Sequence, residues 1–296
     1  MAESDSFKGS SRETALWYGR AMEHLVEVVL ELSHARDLAT IMAIVKRAAR
    51  SLTGADGATF VLRDGDQCHY ADEDAISPLW KGLRFPMSAC ISGWSMLNRQ
   101  SAVIEDIYAD PRIPADAYRP TFVKSLVMVP IRRADPVGAI GSYWAQHCRP
   151  GPERVKLLQA LADTTAVALD NVRLYAELEK RVGERTSELE TILANIQAGV
   201  LFVVEGQIVR ANPKAAELLG IDSASVLVGM PIGLSLRSAA GDISLLEADS
   251  GTALVKALDA ELQLESRHGT SFWAHVIRQP LDPLIYPGGA IWLIEN

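Results

Sequence analysis

Cysteine is scarce in this chain: Cys68, Cys90 and Cys148 are the only three among 296 residues. An odd and scattered set rules out a disulfide framework and supplies no CxxC pair for a metal. Histidine is almost as scarce, six residues in all, and none falls at a metal-ligand spacing. Basic charge is in deficit, with 29 Lys and Arg against 37 Asp and Glu for a net charge of −8. That balance argues against a nucleic-acid partner. No apolar run reaches the roughly 18 residues of a membrane span, so no membrane partner is expected. The segment from Met1 to Glu13 lacks the apolar core of a signal peptide, which points to a cytoplasmic protein. What the chain does have is 48% apolar residues, over a length that fills two ordinary domain cores.

The apolar spacing organises those residues. Residues 1–14 read as a flexible N-terminus. From 15 to 32, Leu16, Met22, Leu25, Val26, Val29, Leu30 and Leu32 fall at helical spacing opposite Glu23, Glu27 and Glu31, which predicts an amphipathic helix. A second helix starts after Asp37, a good N-cap, and closes at Gly54. Thr59 to Leu62 and Gln67 to Tyr70 read as a hairpin across Asp64-Gly65. Ile91 to Leu97 is predicted helical and Ala102 to Ile104 extended. Two strong strands follow, Leu126 to Ile131 and Gly138 to Trp144; the glycines of the second predict a central position with a backbone close by.

From 153 to 196 the pattern is one long helix. Leu161, Thr165, Ala168, Val172, Tyr175, Glu179, Val182, Thr186, Leu189, Leu193 and Ile196 follow alternating four- and three-residue steps. Sustained heptads predict a left-handed coiled coil, and so a parallel homodimer. The alternative is one long helix packed only on its own domain. Beyond it, Gly199 to Val204 and Ile208 to Ala211 form a hairpin over Glu205-Gly206. Asn212-Pro213 starts a short helix that ends at Gly220, and a further helix is expected over Thr252 to Leu258. Ala260 to Ser266, Ser271 to Arg278 and Ala290 to Ile294 read as strands, giving a sheet of about five. The fold class is α+β: two sensor-sized domains, 15–152 and 197–296, each an antiparallel sheet with flanking helices, joined by a coiled-coil helix over 153–196.

Several stretches resemble known families. Ile91-Ser92-Gly93-Trp94, Val103 to Asp106, RIPADAYRPTFVKSLVMVPI (112–131) and GAIGSYW (138–144) stand in the order of a GAF domain, over residues 20–175. ILANIQAGVLF (192–202), VRANPKAAELLG (209–220), His268 to Trp273 and GAIWLIEN (289–296) resemble a PAS domain, over 188–296. Together they cover about nine-tenths of the chain. The pair is similar to the sensory regions of bacterial diguanylate cyclases, whose GGDEF domain makes cyclic di-GMP, and of sensor histidine kinases. The resemblance implies a sensory fragment of a longer protein, with an output domain after Asn296.

No catalytic centre emerges. Cys68 and His69 adjoin, but strand neighbours point to opposite faces, and no nucleophile has a base at a compatible spacing. The Cys-His pair that bilin-binding GAF domains carry before the Val-Pro-Ile step is missing from Tyr118 to Ser125. The Asn-Lys-Phe-Asp-Glu set of cyclic-nucleotide-binding GAF domains is also missing. The motifs around Cys90 and Cys148 do not match GAF-type methionine sulfoxide reductases. The PAS part holds no cysteine for a flavin adduct, and His268 and His275 read as structural rather than as haem ligands, so no cofactor or metal is named. A small-molecule ligand is the better expectation. Resemblance places it under the segment 106–125, against the Tyr143-Trp144 strand, with Tyr108, Asp110, Arg112, Tyr118, Arg119, Phe122 and Tyr143 as candidate ligand-binding residues. The competing reading is that these aromatics fill the core while Arg112 pairs with Asp110. In the PAS part, Phe202, Trp273 and Trp292 are expected to line one sheet face. A thiol-reductase enzyme and a ligand-free dimerisation scaffold are the rival functions.

Overall fold

The computed structural model describes residues 3–235, 237–238 and 257–296. The chain divides into two compact units, Met1–Leu178 and Glu179–Asn296.

In the first unit, α1 runs Glu3–His34 and α2 Leu38–Thr53. Helix α1 therefore reaches back through the polar stretch read above as a flexible N-terminus. Once the apolar segment is helical, each further residue adds a hydrogen bond without a new nucleus. Asp37 caps α2 as expected, its Oδ1 accepting the Thr40 N–H at 2.8 Å, and Gly54 closes it at φ 64°. The strands are β1 (Gly57–Asp64), β2 (Gln67–Ala75), β3 (Arg84–Pro86), β4 (Ala102–Ile104), β5 (Ser125–Ile131) and β6 (Gly138–Trp144). They form one antiparallel sheet in the order β3-β2-β1-β6-β5-β4. Strand β6 is central because its glycines admit a neighbour: a Cβ on Gly138 would lie 2.3 Å from the Val61 carbonyl oxygen. Two short helices, α3 (Ile91–Asn98) and α4 (Ala115–Tyr118), belong to the long crossings between β3 and β5.

The two faces of this sheet carry different cores. Phe60, Val127, Val129 and Ile140 pack against α1, α2 and the start of the long helix α5 (Pro152–Asn195). Val61, Leu126, Met128 and Tyr143 pack against the irregular crossings. The alternation along β5, with Val127 and Val129 on one side and Leu126 and Met128 on the other, makes it a strand buried on both faces.

Helix α5 has two halves. Leu157, Leu158, Leu161, Ala162, Thr165, Ala166 and Ala168 are buried in the core that α5 shares with α1. Arg154 stacks on Trp17 (5.4 Å) and Arg36 on Tyr175 (4.9 Å), so α1 and α5 run in the same direction. The seam positions Leu161, Thr165 and Ala168 thus serve their own domain. From Tyr175 to Ile192 the apolar residues are exposed. Leu178, Val182, Leu189 and Ile192 keep a heptad spacing, with Arg185 in the remaining place. This stripe shares Val182 and Leu189 with the spacing read from sequence, and has Leu178, Arg185 and Ile192 where that spacing has Glu179, Thr186 and Leu193, one residue later.

In the second unit the strands are β7 (Gly199–Val204), β8 (Gln207–Ala211), β9 (Arg237–Ser238), β10 (Leu258–Glu265), β11 (Ser271–Pro280) and β12 (Gly289–Glu295), with short helices α6 (Pro213–Leu219), α7 (Ala224–Leu227) and α8 (Ile232–Ser235). The sheet order is β8-β7-β12-β11-β10-β9, six strands among the described residues. Asn212 caps α6 through Ala215 N–H (2.9 Å) and also accepts from Val200 N–H (2.8 Å), tying the helix to β7. The helix expected over Thr252 to Leu258 lies, up to residue 256, outside the described residues, and Leu258 opens β10 instead. Trp292 is buried on the core face, whereas Trp273 is 64% exposed. Phe202 pairs with Ile291, out of phase with the Leu201–Trp292 row. These three aromatics therefore do not line one face, because strand parity divides them. His275 pairs with Asp259 (2.6 Å) and Glu295 (3.8 Å) at the surface.

Candidate functional site

The loop-covered face of the first sheet holds the candidate site. Its cover is pinned by hydrogen bonds that short polar motifs encode locally. The Glu73 carboxylate accepts three successive backbone N–H groups, from Leu79 (2.9 Å), Trp80 (2.9 Å) and Lys81 (2.8 Å). That turn seats the Trp80 ring, whose Nε1–H donates to the Ala117 carbonyl at 3.1 Å. Asp106 accepts from Tyr108 N–H (2.9 Å) and Asp110 from Arg112 N–H (2.9 Å), so each Asx turn bends the crossing segment.

Trp80 is the centre of an aromatic cluster, with Tyr118 at 4.7 Å, Tyr70 at 5.5 Å and Tyr143 at 5.6 Å between ring centroids, all edge-on. Edge-to-face contacts of this kind add about 0.5–1.5 kcal/mol beyond area burial. Three phenols are therefore buried together. Tyr143 Oη hydrogen-bonds Thr59 Oγ1 at 2.8 Å, and Tyr70 Oη hydrogen-bonds Ser92 Oγ at 3.1 Å. Tyr118 is 2% exposed, and its hydroxyl has no hydrogen-bond partner among the described residues. Burial pushes all three phenols above their ordinary range.

The sequence-derived candidates divide on this frame. Tyr118 and Tyr143 come together around Trp80. Phe122 is half-buried beside Gly57, its ring 2.9 Å from where a Cβ on that glycine would stand. Arg112 forks onto Asp110, Nε to Oδ1 at 2.9 Å and Nη2 to Oδ2 at 2.6 Å, and lies over the Trp94 ring at 4.5 Å. The guanidinium holds the Asp110 carboxyl below its ordinary range. Tyr108 stands outside, half-exposed, with Lys124 Nζ over its ring at 5.1 Å. The Arg119 side chain is 72% exposed and pairs with Asp116 at 3.1 Å, pointing away from the cluster.

Sequence reasoning missed Trp80, Glu73 and the meeting of Cys68 with Cys90. Glu73 in particular gave no periodic signal: it stands between Asp72 and Asp74, and nothing in that run of three carboxylates marks which one collects free backbone N–H groups. Among the described residues no group of three His, Cys, Asp or Glu could hold a metal ion.

The GAF domain family matches residues 35–170, and the PAS domain family matches residues 187–256. The chain carries a GAF domain followed by a PAS domain. A GAF domain ahead of a PAS domain is the organisation of a sensory signalling region. No curated protein matches the chain. Among solved structures, the GAF domain of an Acinetobacter phosphoenolpyruvate-protein phosphotransferase is 14% identical with a TM-score of 0.47, covering 53% of this chain and 98% of that one. The GAF domain of the Coxiella burnetii phosphoenolpyruvate-protein phosphotransferase is 15% identical with a TM-score of 0.48, covering 54% and 98%. The free methionine-R-sulfoxide reductase of Neisseria meningitidis is 17% identical with a TM-score of 0.47, covering 53% and 93%. Likeness at this level names no activity for this chain. No helix among the described residues is long and apolar enough to cross a membrane.

Proposed function

We propose that this chain is the sensory and dimerisation region of a cytoplasmic signal-transduction protein. A small ligand sits in the loop-covered interior of the GAF domain, in contact with Tyr118 and Tyr143. The exposed half of α5 pairs in parallel with the same helix of a second copy. Ligand occupancy biases that pairing, and the bias passes to an output domain, a GGDEF diguanylate cyclase making cyclic di-GMP.

The observation that carries this reading is the Tyr118 hydroxyl. A buried hydroxyl without a partner costs about 1–3 kcal/mol, and such groups in native interiors call for an explanation. A ligand acceptor supplies one, in the place where the GAF resemblance puts a ligand. The stripe Leu178, Val182, Leu189 and Ile192 supports the pairing, because exposed apolar residues at heptad spacing want a partner helix.

Native mass spectrometry of the purified chain tests both parts. The expected spectrum shows a mass of two chains plus a bound small molecule that is lost on denaturation. A dimer with no bound mass, and no melting shift with any compound of a metabolite panel, would remove the ligand. A bare monomer at micromolar concentration would overturn the proposal as a whole. Saturation at 100-fold the Kd should raise GAF stability by about 2.7 kcal/mol, which a melting curve reads easily.

A further inference from the structure

Cys68 and Cys90 are distant in sequence and adjacent in the fold. Cys68 lies on β2, opposite Arg63 of β1 and Phe85 of β3, with its side chain fully buried on the loop-covered face. Cys90 is the N-cap of α3: its Sγ accepts the Gly93 N–H at 3.4 Å and shares a hydrogen bond with Ser92 Oγ at 3.3 Å. Ser92 Oγ also hydrogen-bonds Tyr70 Oη at 3.1 Å, two residues along β2 from Cys68, and both thiols lie in the same buried cluster. N-caps are ordinarily Ser, Thr, Asp or Asn, and a thiol is a weaker acceptor than any of these. Capping strength therefore does not account for a cysteine at this place.

The surroundings select the state of each sulfur. The neighbouring Cys68, the Ser92 hydroxyl and the Gly93 N–H all favour a thiolate on Cys90 and hold it below the ordinary thiol range. The closeness of Cys90, with burial, pushes Cys68 above that range. One sulfur is thus poised as the nucleophile and the other as its proton-bearing partner. Cys90 is 7% exposed and Cys68 0%, so a water-sized oxidant meets Cys90 first.

We propose that Cys68 and Cys90 form a peroxide-reactive dithiol that closes to an intramolecular disulfide. The Cys90 thiolate attacks one oxygen of a hydroperoxide. The O–O bond breaks, Cys90 becomes a sulfenic acid, and the departing oxygen takes a proton and leaves as water or alcohol. Cys68 sulfur then attacks the Cys90 sulfur as its own proton passes to the departing hydroxyl. The S–O bond breaks, the S–S bond forms, and a water leaves. The two thiols lose two electrons between them and the peroxide gains two. The site has little slack: a Cβ on Gly93 would stand 2.0 Å from the Met87 carbonyl oxygen. Pulling Cys90 toward β2 therefore displaces the first turn of α3, and with it Ser92, Tyr70 and the Trp80 ring.

The test is a peptide map of the intact, purified chain after exposure to a molar excess of hydrogen peroxide and alkylation of the remaining thiols in denaturant. Cys148, half-buried against Ser125 Oγ at 3.2 Å, serves as the internal reference. The expected result is a cross-linked pair of peptides joining Cys68 to Cys90, with Cys148 still alkylated, a changed tryptophan emission, and full reversal by dithiothreitol. In Cys68→Ser the Cys90 sulfenic acid should persist and be trapped by dimedone. In Cys90→Ser, Cys68 should stay reduced. The proposal is overturned if Cys148 oxidises while Cys68 and Cys90 stay free in the wild type. It is equally overturned if Cys90 passes to sulfinic acid without a cross-link, or if Cys90→Ser leaves Cys68 oxidising at the wild-type rate.

Discussion

On one face of the GAF sheet, Phe60, Val127, Val129 and Ile140 meet three helices through aliphatic side chains. On the other, Val61, Leu126 and Met128 meet loops that carry Trp80, Tyr118, Cys90 and two short helices. Buried polar groups on the helical face are satisfied within it: Thr53 donates to the Ala49 carbonyl (2.6 Å), Thr165 to the Leu161 carbonyl (2.7 Å) and Gln159 to the Pro130 carbonyl (3.2 Å). Among the described residues, the loop face leaves the Tyr118 hydroxyl unpaired and brings two thiols into one buried cluster. The helical face is closed chemistry, whereas the loop face has interactions left to offer. A frame and a responsive surface can thus share one sheet, because neighbouring residues of a strand face opposite ways.

The helical face should show the largest effect. Leu161→Ala, on α5 and fully buried, should cost about 2–5 kcal/mol in denaturant unfolding while leaving the mass of the assembly unchanged. Further along the same helix, Leu178→Lys with Leu189→Lys should do the reverse. Like charges along the pairing stripe should weaken dimerisation at least tenfold, a loss of roughly 1.4 kcal/mol or more, with the melting of the GAF core unmoved. Sedimentation velocity separates the two outcomes.

Acid offers a smaller and separable effect. Burial pulls the Asp72 carboxyl up, but Lys46 at 2.6 Å and Lys81 at 2.7 Å outweigh it and hold the group below its ordinary value. A carboxyl lowered in the folded state contributes stability that is whole above its unfolded value of about 3.9 and lost as pH falls through the folded value. The melting temperature of the GAF unit should therefore fall as pH drops below about 4, and Asp72→Asn should flatten that part of the profile.

Much of the frame was legible because its signals are local. Asp37 and Asn212 as caps, Gly54 and Gly220 as helix ends, and the central placing of β6 each follow from one residue's own geometry. The candidate site was less legible. Tyr118 and Tyr143 were found through their place in a resembling motif, but Arg119 follows Tyr118 by one residue and its side chain is exposed, since successive residues of a helical turn stand about 100° apart. The pairing of Cys68 with Cys90 depends on how β2, β3 and the turn after them close in space, which no spacing encodes. The α5 stripe agrees with the sequence-read spacing at Val182 and Leu189 and differs from it by one residue at Leu178, Arg185 and Ile192. The first half of the helix is phased by the GAF core, and the heptad read from sequence followed that phase past the point where the core ends.

Two phenols of the same cluster provide the sharpest comparison, measured as thermal unfolding of Tyr118→Phe and Tyr143→Phe in chain stripped of ligand by unfolding and refolding. Tyr143→Phe removes a bonded hydroxyl and leaves Thr59 Oγ1 without it, so stability should fall by about 1 kcal/mol. Tyr118→Phe removes a hydroxyl that has no partner among the described residues, so the account predicts stability unchanged or raised in the stripped chain, together with loss of the copurifying ligand from the native mass spectrum of chain purified without stripping. A fall in stability for Tyr118→Phe as large as that for Tyr143→Phe, with the ligand still bound, would contradict the assignment of this face as the sensing site.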